Sequence, residues 1–219
     1  MDLSSCSMPE RFPISRASSC SKVKTSERAL STGRSLRAGA EQIENEGARD
    51  IVRFLYNSAW RSGEAKKLEW SKVDVHDWVI RLSRKTEKTK RPRTLALVGE
   101  LREIIERRLA KRTPECPYVF HRSGKPIKSF RRAFKTAFKN AGLEGIIPHD
   151  MRRSGIRNFT KAGLGESEGM AISGHKTNSV YKRYNVIDEE LQRQSLQRVH
   201  EQQQREIEQR KVVPIRKAV

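Results

Sequence analysis

The sequence predicts an α+β domain, mostly helical with a small antiparallel β-sheet. Three observations lead there. Apolar residues recur at helical spacing in several separate segments, two short stretches alternate in strand fashion around a basic connector, and Gly or Pro marks many of the joins. With 219 residues, 35% of them hydrophobic, the chain can furnish one sizeable core and flanking segments.

Residues 1–46 are rich in Ser and Arg, poor in large apolar side chains and without a sustained period, so they are expected to be disordered. The folded domain is expected over 47–190. Ile51, Val52, Leu55 and Ala59 predict a helix with one buried face, which delivers Arg61. Trp78, Ile80 and Leu82 alternate with Val79, Arg81 and Ser83, and Thr94 to Leu97 follow a basic connector; together they predict two antiparallel strands. Leu101, Ile104, Ile105 and Leu109 mark another helix, after which Pro114 and Pro117 bracket a break and Tyr118, Val119 and Phe120 suggest a third short strand. Phe130, Phe134 and Phe138 stand four apart and put a stack of rings on one helical face, read as core.

Pro148 followed by Asp150 is a helix start, because proline suits the first turn and a carboxylate suits the positive end of the helix dipole. Gly163 ends that helix. A short helix near Met170 leads to a Gly174-His175 turn, and Thr177 or Asn178 can cap a helix carrying Tyr181 and Tyr184. Residues 191–219 form a Gln- and Arg-rich tail, helical or disordered, whose weak apolar set does not define a coiled coil.

Lys and Arg number 46 against 26 acidic residues, a formal charge of +20, so the natural partner is a polyanion, with nucleic acid foremost. No apolar run approaches the length of a membrane span, and the first residues lack the basic start and apolar stretch of a secretory signal. Cys6, Cys20 and Cys116 are widely spaced and odd in number, which argues against a disulfide framework and fits a reducing cytoplasm. Neither paired CxxC segments nor an HExxH spacing is present, so no zinc site is expected.

Arg61 stands in the segment Ser58-Ala59-Trp60-Arg61-Ser62-Gly63-Glu64, after an apolar helix. Lys88 lies in the basic connector, nine residues before Leu97; His149 and Arg152 share one predicted helix; Gly174-His175 follows, and Tyr184 stands nine residues after His175. This ordered set resembles the catalytic domain of the tyrosine recombinases of the phage-integrase family. The first segment is similar to the family's Thr-Gly-x-Arg-x-x-Glu, with Ala59 in place of the usual Gly; Pro148-His149-Asp150-Met151-Arg152 resembles its His-Asp-Leu-Arg box and Ser173-Gly174-His175-Lys176 its Leu-Gly-His-Ser box. The resemblance runs from about Ala48 to Glu190 and implies the catalytic set Arg61, Lys88, His149, Arg152, His175 and Tyr184, with Glu64 carried over beside Arg61. Lys85 and Lys90 compete with Lys88.

The chemistry suits these residue types. Attack on a phosphodiester builds negative charge on its non-bridging oxygens, which planar guanidinium groups such as Arg61 and Arg152 bind two at a time. His149 and Arg152, three apart, lie on one helical face and can reach one phosphate. Tyr184 must lose a phenolic proton whose ordinary pKa is about 10, which neighbouring cations favour and His149 can accept. The resemblance implies that His175 donates a hydrogen bond to the phosphoryl group and that Lys88 protonates the leaving 5′ oxygen as general acid. Tyr181, one helical turn before Tyr184, is expected to be a buried structural tyrosine.

No metal or nucleotide cofactor is expected, since cations already supply the charge stabilisation and the phosphotyrosine conserves the bond energy. Double-stranded DNA is the expected partner, bound by an assembly of several protomers. Type IB topoisomerase activity, a DNA-binding remnant that has lost recombination, and an RNA-binding protein are the competing readings. The remnant gains weight from the expectation that only the Ser/Arg-rich segment precedes Ala48, where the family carries a helical core-binding domain.

Overall fold

The computed structural model describes residues 33–83, 92–184 and 189–210. Helix α1 (Gly33–Glu41) leads into α2 (Glu46–Ser58), where Asn45 caps the start by accepting from Ala48 N at 2.9 Å. Helix α2 is the spine of the domain: Ile51, Val52, Phe54 and Leu55 are fully buried, and it packs against α4 (Glu100–Ala110) and α6 (Pro148–Lys161). Buried Asp50 ties α2 to α4 by accepting from Arg107 Nη2 at 3.0 Å and Arg108 Nη1 at 3.5 Å.

The short α3 (Ser62–Lys66) and a 3₁₀ turn at Trp70–Lys72 lead to a three-stranded antiparallel sheet, β1 (Val73–Asp74), β2 (Val79–Leu82) and β3 (Arg93–Ala96), in that spatial order. Val79 pairs with Ala96 and Leu82 with Arg93, so the β2–β3 arms open toward residues 84–91. The strands expected around Ile80 and Leu95 are therefore present, with β1 added at the edge. The third strand expected at Tyr118–Phe120 is not: Tyr118 makes an isolated bridge with Glu69, and the next pairing is the small hairpin β4 (His121–Arg122) and β5 (Lys125–Pro126). Val119 and Phe120 are fully buried, so their apolar run reflects burial of a connecting segment rather than a ladder.

Helix α5 (Arg131–Asn140) bears the phenylalanine stack as core, with the Phe134 and Phe138 rings 4.0 Å apart and nearly parallel. Helix α1 packs onto α5 and corrects the expectation of disorder through residue 46. Its Leu36 and Ala40 are buried, as is Ile43 just beyond it, and a Cβ on Gly39 would meet the Phe138 ring at 3.0 Å. A helix that docks through Gly and Ala by close backbone approach carries too few large apolar side chains to reveal its period. Residues 1–32 lie outside the described part of the chain.

Helix α6 starts as expected, with Pro148 in its first turn and the Asp150 carboxylate accepting from Ile147 N at 2.9 Å. Then come α7 (Glu166–Ser173), α8 (Asn178–Lys182) and the long α9 (Glu189–Arg210), so the tail is helical as far as it is described. Among the described residues no helix is long and apolar enough to cross a membrane.

Candidate active site

The C-terminal end of α2, the start of α6, the α7–α8 turn and the residues after α8 converge on one corner. Ala59 ends α2 in the left-handed region at φ 52°, which frees its carbonyl from the helix. Arg152, on α6 and only 2% exposed, sends Nη1 to that carbonyl and, at 2.8 Å, to the carbonyl of Ser173. Its Nη2 lies against both ring nitrogens of His175, 2.9 Å from Nε2 and 3.1 Å from Nδ1. Gly174, left-handed at φ 71°, makes the turn that places His175 there.

The tautomer of His175 follows from its neighbours. Ser173 Oγ lies 2.6 Å from the Gly169 carbonyl, to which it can only donate, so toward His175 Nδ1 at 2.7 Å it accepts. Nδ1 therefore carries the proton, and Nε2 is left to accept from Arg152. Burial and then the charges of Arg152 and Arg61 push the His175 pKa down to about 3, so the ring is neutral at physiological pH. Burial, followed by Arg61, lowers Arg152 to about 10, which still leaves it protonated.

Arg61 occupies the rim. Its side chain is 42% exposed and is held by Glu64 Oε1 at 3.1 Å and, more loosely, by the Gly174 carbonyl at 3.4 Å. His149 is also on the rim, with Nε2 at 3.2 Å from Tyr184 Oη. Desolvation first, then Arg153 and Arg152, lower the His149 pKa, so the ring is neutral and Nε2 can accept the phenolic proton. The Tyr184 ring stands 5.6 Å from His175 and has the Arg153 guanidinium 5.7 Å from its centroid. Tyr181 is 1% exposed with its ring 5.4 Å from His175; burial raises its pKa, and its hydroxyl is tied to Thr160.

The structure thus brings together Arg61, His149, Arg152, His175 and Tyr184 from three segments far apart in the chain. Lys88 and its rivals Lys85 and Lys90 lie outside the described residues. Sequence reasoning missed three participants: the Ala59 carbonyl, the Ser173 hydroxyl and Arg93. Arg93 had a signal, because it stands in phase with Leu95 and Leu97 on the inward face of its strand, an unusual place for a charge. Among the described residues no group of His, Cys, Asp or Glu is arranged to hold a metal ion.

The model of the phage integrase family matches residues 35–190. The chain belongs to the phage integrase family. Two curated proteins are similar to it: the probable integrase/recombinase YoeC of Bacillus subtilis (strain 168), 29% identical over 159 residues, covering 70% of this chain and 86% of that protein, and the shufflon-specific DNA recombinase of Escherichia coli, 28% identical over 138 residues, covering 61% and 33%. The chain thus spans about a third of the shufflon recombinase's length. The integrase fold itself is shared with the Tn1549 transposon integrase solved in complex with transposon right end DNA, at a TM-score of 0.63 and 18% identity, over 77% of this chain and 65% of that one.

Proposed function

We propose that the chain is a site-specific DNA recombinase or integrase that cleaves and rejoins DNA through a 3′-phosphotyrosine at Tyr184. The observation that carries this is the placement of Tyr184 Oη 3.2 Å from Nε2 of a neutral His149, whose Nδ1–H tautomer can take the phenolic proton, at the mouth of a corner lined by Arg61, Arg152 and His175. The Tyr184 oxygen attacks the scissile phosphorus and its proton passes to His149 Nε2. Arg61 and Arg152 neutralise the charge growing on the non-bridging oxygens. The bond to the 5′ oxygen breaks, and that oxygen leaves with a proton from Lys88. Rejoining reverses these steps: a 5′ hydroxyl attacks the phosphotyrosine, so no nucleotide is consumed.

For His175 the hydrogen bonds favour a different role from donation to the phosphoryl group. With its Nδ1 proton given to Ser173 and Nε2 accepting from Arg152, it fixes the plane of that guanidinium. Double-stranded DNA is the substrate, a reading supported by the net charge of +20 and by the DNA named in the shufflon recombinase and in the Tn1549 complex. Several protomers act together, because exchange between two duplexes needs more strand cleavages than one Tyr184 per chain supplies; the odd, widely spaced cysteines favour a reducing compartment such as the cytoplasm.

A nicked suicide substrate tests the reading. The chain should form a covalent 3′ adduct that is lost in Tyr184→Phe and kept in Tyr181→Phe. An adduct that survives Tyr184→Phe removes Tyr184 as nucleophile; DNA binding without any adduct favours the remnant, and relaxation of supercoils without strand exchange favours the topoisomerase.

A further inference from the structure

Arg93 opens β3, the strand by which the chain returns from the segment containing Lys88, and its side chain is only 10% exposed. Its guanidinium lies 4.2 Å from the Trp60 ring centroid, and Trp60 is itself anchored by Nε1 donating to the Ile172 carbonyl at 2.9 Å. Arg93 Nη1 rests against Gly174 so closely that a Cβ there would sit 1.6 Å from it. Only glycine leaves room for this approach while also tolerating the left-handed turn. Arg93 Nη2 donates to Glu64 Oε2 at 3.1 Å, and the other oxygen of Glu64 accepts from Arg61 Nη1, also at 3.1 Å.

One carboxylate is therefore shared by a sealed arginine and a rim arginine. Apart from Glu64, Arg61 Nη1 has, among the described residues, the Gly174 carbonyl at 3.4 Å to hold it. We propose that Arg93 is a positioning residue for strand cleavage, fixing Arg61 through Glu64; this rests on the recombinase reading above. Arg93 holds Glu64 in place, so that Arg61 meets a carboxylate at a defined point. It also leaves the trio of two guanidinium groups and one carboxylate with a net positive charge. Without Arg93, Glu64 Oε2 keeps only the long 3.4 Å bond from the Arg61 backbone N–H among the described residues, and the carboxylate can turn toward the Arg61 guanidinium and neutralise it. Arg93 Nη2 is committed to Glu64 and its guanidinium lies over the Trp60 ring, so its part is to hold Glu64.

The test is single-turnover cleavage of the suicide substrate by the full chain, with DNA affinity and unfolding midpoint measured alongside. Arg93→Met should slow cleavage by about 10- to 100-fold, the scale of an ångström-size misplacement, and leave affinity nearly unchanged. Arg93→Lys, which restores the charge but not the fork, should recover part of the rate. In an Arg61→Ala background, Arg93→Met should cost nothing further, since both act through one group. A substrate with sulfur at the bridging 5′ position, whose leaving group needs little protonation, should not restore Arg93→Met. Unaltered cleavage, a full multiplicative loss on top of Arg61→Ala, or rescue by sulfur would each overturn the inference, the last by moving Arg93's effect to the leaving-group side. If Arg93→Met fails to fold, Glu64→Gln serves the same cycle, with the same non-additivity expected. No adduct from the wild-type chain sinks the recombinase reading; an adduct from it with an unslowed Arg93→Met sinks this inference alone.

Discussion

Arg61 and Arg152 bring the same side chain to the same corner, and their surroundings divide the site into two regions. Arg152 belongs to a buried wall, where two carbonyls and an imidazole nitrogen accept from its guanidinium. Arg61 belongs to an open rim with Tyr184 and His149, where a carboxylate and a distant carbonyl hold it. The wall is preorganised by the fold: its donors and acceptors are matched before any substrate arrives, and opening it leaves polar groups stranded in a dry interior. The rim is built for exchange, because water or a phosphate can replace what it loses. Stability and catalysis should therefore be coupled in the wall and separable on the rim.

The largest effect should come from Arg152→Ala, which removes a transition-state donor and strands the Ala59 and Ser173 carbonyls. Cleavage should fall by about 10²- to 10³-fold and stability by about 2 to 4 kcal/mol. Arg61→Ala should slow cleavage comparably while unfolding within about 0.5 kcal/mol of the wild type. Single-turnover adduct formation and urea unfolding on both variants check this. Equal destabilisation by the two would erase the distinction between wall and rim.

Acid should act on the wall next. His175 ionises at about 3 in the folded chain and near about 6.5 when unfolded. Below the higher value the unfolded chain binds the extra proton, so the stability is whole above it and drains as pH falls toward the lower one. The steepest loss is about 1.4 kcal/mol per pH unit, or about 2 kcal/mol between pH 7 and 5. Unfolding free energies at those two pH values should fall in the wild type by about 2 kcal/mol more than in His175→Gln, which keeps the smaller slope of His149 and His121, both also lowered by burial. A slope unchanged by the substitution would place the acid sensitivity elsewhere.

Behind the wall, a Cβ on Gly155 would sit 2.6 Å from the Tyr56 carbonyl oxygen and 3.0 Å from Ala59 Cβ. Gly155→Ala should lower stability by about 1 to 3 kcal/mol, read as a fall in the thermal midpoint. The smallest effect belongs to Ala59→Gly. Relief of the left-handed backbone, partly offset by loss of a buried methyl, should raise stability by about 0.5 kcal/mol. A decrease would mean that the Ala59 methyl matters more to the packing than its backbone strain costs.

Much of the site was legible because its residues sit beside strong local signals. Pro148 and Asp150 announce the helix that carries His149 and Arg152, and Gly174 announces the turn before His175. Spacing also separated Tyr184 from Tyr181, one at the rim beside His149 and the other buried. The unread parts share a different origin. Helix α1 packs through small residues, and the run at 118–120 is buried without pairing, so neither obeys the link between apolar period and element type.

The sequence by itself determined the order of the boxes, the helices that carry them and the excess of positive charge, because each is written in residue type and near-neighbour spacing. Only the tertiary structure decided which arginine is sealed and which is open, that Ser173 sets the tautomer of His175, and that Arg93 shares Glu64 with Arg61. Those are contacts between elements distant in the chain. Burial and hydrogen-bond partnership are properties of packing, and no periodicity along a single segment encodes them.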